Sequence, residues 1–447
     1  MIESVSRASY VQCSMWASAQ RHRTAPLNVM VLAWRVKGPL RVEWLEAALG
    51  DVVARHPTLR ARLTMRGGQL QQEVLVADRV SIRIDDSAGS GAPERINAAI
   101  ALLREGGRQV IDVVSGPPLV ARLVRLDADD HVFCLYVHHA MCDGWSSQII
   151  IHDLAKFYEA RAQGRIAELP PLVEQYADSA QWQIDAYESG GFSDEIRYWK
   201  AELADPAPAL ALPTTGVRKG NRDFLASSPL HSVPLPVLTA LRGAARQSRV
   251  STFAVVLAGV SVLMHQRTGA DDFIVGVPTL NRWSSKAKEF VGCATSLLPA
   301  RVRPRPTMPF GELCVQIHAT IRRMLAYGRV PLELILRETQ DSPLGGPVIP
   351  VWCQIRESAP TIRLNSMGLS MDSFLIERGT ILADLDVDMI ESEQGLLCEF
   401  AHRPSLFALE TIHALMVDFG DILCAAAHAP HLPIADLIQH LAHAKKN

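Results

Sequence analysis

Apolar residues recur at helical or strand spacing through the first half of the chain. A helix before Pro57 carries its apolar residues on one face, namely Leu45, Ala48, Leu49, Val52 and Val53. Alternating apolar and polar residues on both sides of Gly67-Gly68 predict a β-hairpin with a two-residue turn. An Ala-rich segment near residues 95–105 predicts a further helix.

A continuous apolar run, HVFCLYVHH at residues 131–139, has the length and β-branched and aromatic content of a strand covered on both faces. Downstream, SSQIIIHDLAKFYEAR carries Ile150, Leu154 and Phe157 at helical spacing. The order strand, turn, helix therefore places the two histidines at a turn, where functional residues are often found.

The second half repeats this alternation of helix and strand. A Ser-Thr start at residue 251, an apolar helix, a stop at Gly269 and the strand FIVGV follow one another. Both halves thus predict the α/β class. The Pro170-Pro171 pair indicates a passage between them, so we set the domains at residues 1–175 and 176–447.

Composition narrows the possible partners and the compartment. With 447 residues, a net charge of −2 and no membrane-length apolar run, the chain is expected to bind neither nucleic acid nor membrane. Its eight cysteines form no CxxC pair, and the N-terminus has no apolar signal-peptide core. We expect a cytoplasmic protein with reduced thiols, and a monomer.

Adjacent histidines on a strand point to opposite faces, so only one of His138 and His139 can face a given site. This weakens a metal site, and no zinc-type His or Cys spacing is present, so we predict no metal. Buried core histidines and a proton-transferring base both stay open from spacing alone.

The sequence from His138 through Asp143 and Gly144 resembles the HHxxxDG motif of the condensation domains of nonribosomal peptide synthetases and their acyltransferase relatives, including chloramphenicol acetyltransferase. Further segments resemble family motifs in the same order: RHPTLRARL, EIRYWKAEL, DDFIVGVPTLNR, VGCATSLLPAR and VPLELIL. The resemblance covers nearly the whole chain.

The resemblance implies a fold of two lobes like chloramphenicol acetyltransferase, forming a V-shaped pseudo-dimer with a channel between them. Residues 1–175 would carry the motif. His139 would face the channel as the catalytic base, and His138 would pack behind it. Asp143 would pair with Arg282 from the other half; an Asp-His relay is the open alternative.

The remaining motif positions would shape the channel. Gly144 would keep it open, and Trp145, Ser146 and Ser296 would line it. Where condensation domains commonly have bulkier residues, this chain has Cys293, Ala294 and Ser296. This departure suggests a specialised member that accepts a small free molecule.

By resemblance, the chain is a stand-alone enzyme of natural-product biosynthesis. It would transfer an acyl group from the phosphopantetheine thioester of an acyl or peptidyl carrier protein, acting in trans, to a small-molecule amine or alcohol. No permanently bound cofactor is expected. The alternatives are a coenzyme A-dependent acyltransferase and a noncatalytic synthetase docking module, although docking relatives usually lose the second histidine.

Two basic segments are candidates for docking an acidic carrier protein. One contains Arg218, Lys219 and Arg222, and the other contains Arg282, Lys286 and Lys288. A solvated surface loop is the alternative for both. Cys142, inside the motif, is expected to be a packed thiol.

Overall fold

The computed structural model describes residues 1–205, 207–208, 210–216, 223–339 and 349–444. Within these ranges the chain forms two compact units. The first contains residues 1–191, 280–296 and 359–380, and the second contains residues 192–279, 297–358 and 381–447. This division differs from the boundary at residue 175 that the sequence predicts, because two later segments return to the first unit.

Strands alternate with helices along the chain, in the α/β class that the sequence predicts. The strands are β1 (Ile2–Arg7), β2 (Val29–Lys37), β3 (Ala61–Arg66), β4 (Gln69–Leu75), β5 (Ile82–Asp86), β6 (Leu119–Asp127), β7 (Asp130–His138), β8 (Leu230–Pro234), β9 (Phe273–Thr279), β10 (Ser296–Val302), β11 (Val351–Glu357), β12 (Ile362–Leu364), β13 (Leu369–Ser373), β14 (Leu385–Ser392) and β15 (Gly395–His402).

The helices account for most of the remaining regular structure. They are α1 (Tyr10–Arg21), α2 (Val42–Arg55), α3 (Ala92–Gly107), α4 (Gly144–Ala162), α5 (Tyr176–Glu188), α6 (Ser193–Glu202), α7 (Leu235–Gln247), α8 (Thr252–Thr268), α9 (Phe310–Ala326), α10 (Leu332–Thr339), α11 (Leu409–His428) and α12 (Ile434–Ala444).

The first unit is built on a six-stranded sheet in the order β12-β13-β2-β7-β6-β5. One face carries the large core with α2 and α4, and α3 covers the other face. Strand β7 is central, and its residues from His131 to His138 are buried, as its apolar sequence predicts. Its Tyr136 donates a hydrogen bond to the Leu103 carbonyl at 3.0 Å.

A close approach of α3 to β7 requires a glycine. A Cβ atom on Gly106 would lie 2.4 Å from the Tyr136 hydroxyl oxygen, inside van der Waals contact. A separate sheet, β1-β4-β3, includes the hairpin predicted at Gly67-Gly68. The five apolar residues predicted to share one face of α2 are all buried.

The second unit has its own six-stranded sheet, in the order β10-β9-β11-β14-β15-β8. Strands β9, β11 and β14 are parallel, whereas β14, β15 and β8 pair antiparallel. Helix α8 is buried along most of its length and packs against α9 and α11. As predicted, it begins after Ser251, which caps its N-terminus, and ends at Gly269 in the left-handed conformation at φ 72°.

Across the described ranges, no single helix has the length and apolar composition needed to cross a membrane. One pair, α7 and α8, reaches the required length and composition only when taken together, and its two helices are bent by 109°.

Candidate active site

The histidine turn, residues 138–141, begins at the last paired residue of β7. The His138 amide donates to the Pro118 carbonyl at 2.8 Å, and the His139 amide donates to the Asn28 carbonyl at 2.6 Å. Strand β7 ends at His138, and His139 opens a single 3-10 turn to Met141. His138 therefore still has extended backbone, whereas His139 is the first residue of the 3-10 turn.

His138 is a buried structural residue. Its ring is 1% exposed, and its Nδ1 accepts a hydrogen bond from the Ala140 amide at 3.1 Å. Burial, with a smaller contribution from the charge of His139, lowers the pKa of His138 to about 4 against the opposing effect of Asp112. The imidazole is thus neutral near pH 7 and holds the turn, which agrees with the position behind the base that the resemblance implies.

His139 is partly exposed, in contrast to its neighbour. Its Nδ1 lies 3.5 Å from Sγ of Cys293, a buried residue of the segment 280–296. Among the described residues, Nε2 of His139 makes no hydrogen bond, so one ring nitrogen is engaged and the other is available. A neutral histidine arranged in this way can accept a proton from an incoming nucleophile.

Asp143 and Arg282 form a fully buried ion pair next to the histidine turn. Both side chains have 0% exposure, and Nη2 of Arg282 lies 3.0 Å from each carboxylate oxygen of Asp143. Nη1 of Arg282 donates to the Ala287 and Phe290 carbonyls at 2.7 and 2.9 Å. Because both charges are hydrogen-bonded on several sides, the cost of removing them from water is offset.

Asp143 also connects two elements of the backbone. Its Oδ1 accepts from the Ser146 amide at 2.8 Å and so caps α4, while its Oδ2 accepts from the Ala294 and Thr295 amides at 3.0 and 3.2 Å. No hydrogen bond joins Asp143 to His139 in the described part of the chain. The geometry therefore supports the ion pair that the resemblance implies and not the Asp-His relay.

The partner of Asp143 belongs to the first unit, and this corrects the expectation that Arg282 comes from the other half. Residues 280–296 leave the second unit and return to the first. The segment is held there because Arg282 donates both to Asp143 and to two carbonyls of the same segment, those of Ala287 and Phe290. Arg282 is buried, so it is not part of a charged surface, whereas Lys286 and Lys288 are exposed. Arg218, Lys219 and Arg222 lie outside the described residues.

Ser146 and Ser296, which the resemblance places along the channel, are both buried. Ser146 has 0% exposure, and its hydroxyl donates to Asp143 at 2.7 Å and accepts from the Gly292 amide at 3.1 Å. Ser296 is 3% exposed at the start of β10.

Gly144 and Trp145 lie at the exposed start of α4. A Cβ atom on Gly144 would have no atom within 4 Å, so the glycine leaves open space beside the turn without being required by packing. Trp145 is partly exposed, and its indole donates to the Lys288 carbonyl at 2.9 Å. No group of three His, Cys, Asp or Glu side chains with metal-binding geometry occurs in the described ranges.

The residues that support the turn from α1 and α5 could not be found in the sequence. The side-chain amide of Gln12 donates to the Ala140 carbonyl at 3.3 Å, and Tyr176 donates to the Cys293 carbonyl at 2.9 Å. Ser9 and Gln12 form a capping box, a pattern visible in the sequence that indicates the start of a helix but not a site. Tyr176 lies in the first unit, one residue past the boundary that the sequence predicts at residue 175.

We expect Asp143→Asn to destabilise the protein by about 3 to 5 kcal/mol, because it leaves Arg282 buried without its counter-charge. Chemical denaturation monitored by circular dichroism measures this change. Glu188→Gln is the control, since its ion pair with Arg7 is exposed and should contribute little. Equal unfolding curves for Asp143→Asn and the wild type would contradict the assignment.

We also expect the free energy of unfolding to depend on the titration of His138. The folded pKa is about 4 and the ordinary value is 6.5, so the unfolded chain takes up the proton first as the pH falls. Stability is therefore full above pH 6.5 and declines by on the order of 3 kcal/mol toward pH 4. His138→Asn keeps an acceptor for the Ala140 amide but does not titrate, so urea unfolding between pH 7 and 4 should show a shallower decline. Parallel declines would rule this out.

Comparison with known proteins identifies the family. Residues 2–446 match the family model described as Condensation domain. The chain is 29% identical over 96% of its length to isonitrile lipopeptide synthase of Mycobacterium tuberculosis. It is 30% identical over 74% of its length to phosphinothricin tripeptide synthetase PhsC of Streptomyces viridochromogenes. It spans only 18% and 31% of these two relatives.

Solved structures share the fold over the whole chain. SgcC5 protein from Streptomyces globisporus aligns with a TM-score of 0.82 at 24% identity, covering 96% of this chain and 100% of that one. The X-domain from teicoplanin biosynthesis aligns with a TM-score of 0.85 at 24% identity, covering 98% of each chain. These similarities confirm the predicted α/β condensation-domain fold, and the family model shows that the chain belongs to the condensation domain family.

Proposed function

We propose that this chain transfers an acyl group from the phosphopantetheine thioester of a carrier protein to an amine or alcohol, with His139 as the base. The observation that carries the proposal is the state of the His139 ring. It is partly exposed, its Nδ1 is engaged by Cys293, and its Nε2 is available, while His138 is buried and neutral. The family supports the acyl-transfer chemistry.

In the proposed reaction the acceptor nitrogen or oxygen attacks the thioester carbonyl carbon. Nε2 of His139 takes the proton that the acceptor loses, and collapse of the tetrahedral intermediate breaks the C–S bond. The proton then leaves with the thiolate as the free phosphopantetheine thiol. Since thioester cleavage is favourable, placing the acceptor beside the carbonyl supplies much of the rate, and proton transfer supplies a further factor of roughly 100 to 10,000.

The buried ion pair supports this function indirectly. Asp143 caps α4 and accepts from the Ala294 and Thr295 amides, so it joins the end of the histidine turn to the segment carrying Cys293. The exposed Gly144 adds no side chain to the space next to this turn. A rigid support of this kind keeps a base in position without the base having to reorganise during the reaction.

The two alternatives use the same fold. A coenzyme A-dependent acyltransferase would use the same histidine with a free thioester donor. A noncatalytic docking module would bind a partner protein without turnover; the X-domain from teicoplanin biosynthesis, which shares the fold, has been solved as a complex with OxyB. The environment of His139 favours catalysis over docking. Its Nε2 makes no hydrogen bond among the described residues, so this nitrogen is not needed to hold the fold.

The donor and acceptor can be identified in one set of assays. We expect acyl transfer from a separately added acyl-loaded carrier protein to a soluble amine or alcohol. Intact-mass spectrometry should show that the carrier protein loses its acyl group, and the amide or ester product should be detected in the same reaction. The expectation of a small free acceptor rests on Cys293, Ala294 and Ser296, which stand where condensation domains commonly have bulkier residues. Product from acyl-coenzyme A alone would favour the first alternative. A strict requirement for a second loaded carrier protein would overturn the small acceptor.

Replacing His139 tests the base directly. His139→Ala should retain the fold but lower turnover by roughly 100- to 10,000-fold, the usual contribution of a general base. His152→Ala is a matched control, because that imidazole is exposed on α4 and lies outside the turn. Rates per folded molecule, with and without a metal chelator, are the measurement. Full activity of His139→Ala, or loss of wild-type activity on chelation, would contradict the proposal.

A further inference from the structure

The contact between Cys293 and His139 fixes one nitrogen of the proposed base. Sγ of Cys293 lies 3.5 Å from Nδ1, within the range of a hydrogen bond to sulfur, and Cys293 is only 2% exposed. We propose that Cys293 is a positioning residue whose sulfur accepts the Nδ1–H of His139. The lone pair is then on Nε2. This inference rests on the proposed function and adds to it the residue that selects the tautomer.

The direction of this hydrogen bond follows from the chemistry of the two groups. An S–H group could donate to Nδ1 only while His139 is neutral and Nδ1 has no proton. Once the ring has taken the acceptor's proton, both nitrogens are donors, and only an accepting sulfur can keep the contact. An accepting sulfur is therefore the arrangement that leaves Nε2 free to take the proton and that needs no change once the ring is charged.

Cys293 can do this because its own backbone is fixed. The Tyr176 hydroxyl donates to the Cys293 carbonyl at 2.9 Å, and this hydroxyl must accept in turn from Ser9 Oγ, 2.7 Å away. Tyr176 is 3% exposed, and burial raises its pKa well above the ordinary value, so it remains a donor. On the following residue, the Ala294 amide is bound by Asp143.

Close packing excludes a side chain at the position before Cys293. A Cβ atom on Gly292 would lie 2.3 Å from the ring of Tyr176. The ring of Tyr176 also packs edge-on against Phe290, with centroids 5.8 Å apart. The backbone that presents Cys293 is thus bound on both sides and packed against an aromatic ring, so the sulfur is held at a defined place relative to His139.

The first test observes the tautomer without any substrate. In protein labelled with ¹⁵N-histidine, long-range ¹H–¹⁵N correlation spectra distinguish Nδ1–H from Nε2–H, and the His139 signals are assigned by their loss in His139→Gln. We expect the wild type to hold the Nδ1–H form at neutral imidazole. Cys293→Ala should move His139 toward a mixture of both forms, and Cys293→Ser should restore the Nδ1–H form in part.

The second test uses turnover with the acyl-loaded carrier protein. Cys293→Ala should lower kcat by about three- to tenfold with little change in KM, as expected for the loss of one hydrogen bond to the base, and Cys293→Ser should recover part of it. Cys134→Ala is the control: it removes the same atoms from a buried site in β7, in the cluster that packs beneath α3. This control should leave kcat and the His139 spectrum unchanged.

Three results would overturn the inference. One is an unchanged His139 tautomer in Cys293→Ala, and another is a Cys293→Ser variant that behaves like Cys293→Ala in both tests. The third is an acyl adduct on Cys293 by peptide mass spectrometry, which would make the sulfur a nucleophile. A tautomer change in an enzyme that turns over no donor would instead count against the proposed function and leave the assignment of Cys293 intact.

Discussion

The buried pair of Asp143 and Arg282 is the interaction on which the site depends. A carboxylate and a guanidinium with no solvent contact are tolerated only when hydrogen bonds surround both. Most of the groups that bond them are backbone amides and carbonyls at the start of α4 and in residues 287–295, although Nε of Arg282 is buried without a hydrogen bond in the described part of the chain. Satisfying the two charges therefore determines where α4 begins and where the segment carrying Cys293 lies.

The two adjacent histidines show how position alone can give one residue type two roles. His138 is the last residue of a buried strand, so it is desolvated and neutral and acts as an acceptor for the turn. His139 is one residue further on, outside the strand and partly exposed. A shift of β7 by one residue would bring His139 to the buried end of the strand, which is why the full pairing of β7 with β2 from Val29 to Lys37 matters to the site.

Local pattern in the sequence was enough to predict the elements and the order of the motif. Residues close together in the sequence predict three features: the buried face of α2, the hairpin at Gly67-Gly68, and the start and end of α8. The assignment of Asp143 and Arg282 to each other came from family resemblance. The unit to which Arg282 belongs, the burial of Ser146 and the contact of Tyr176 with Cys293 were not predicted. Each depends on residues more than 100 positions apart, which no local periodicity encodes.

The composition of the first unit has a consequence for how the protein is made. Its central sheet is completed at one edge by β12 and β13, from residues 362–373, which pair with β2 from residues 29–37. A ribosome must therefore synthesise most of the second unit before the first can be finished. Until then, the edge of β2 that will pair with β13 stays unpaired, and an unpaired strand edge is prone to aggregation. We therefore expect the nascent chain to depend on protection of the β2 edge during synthesis. A fragment ending at residue 191 would lack both the strands that cover this edge and the guanidinium that neutralises Asp143.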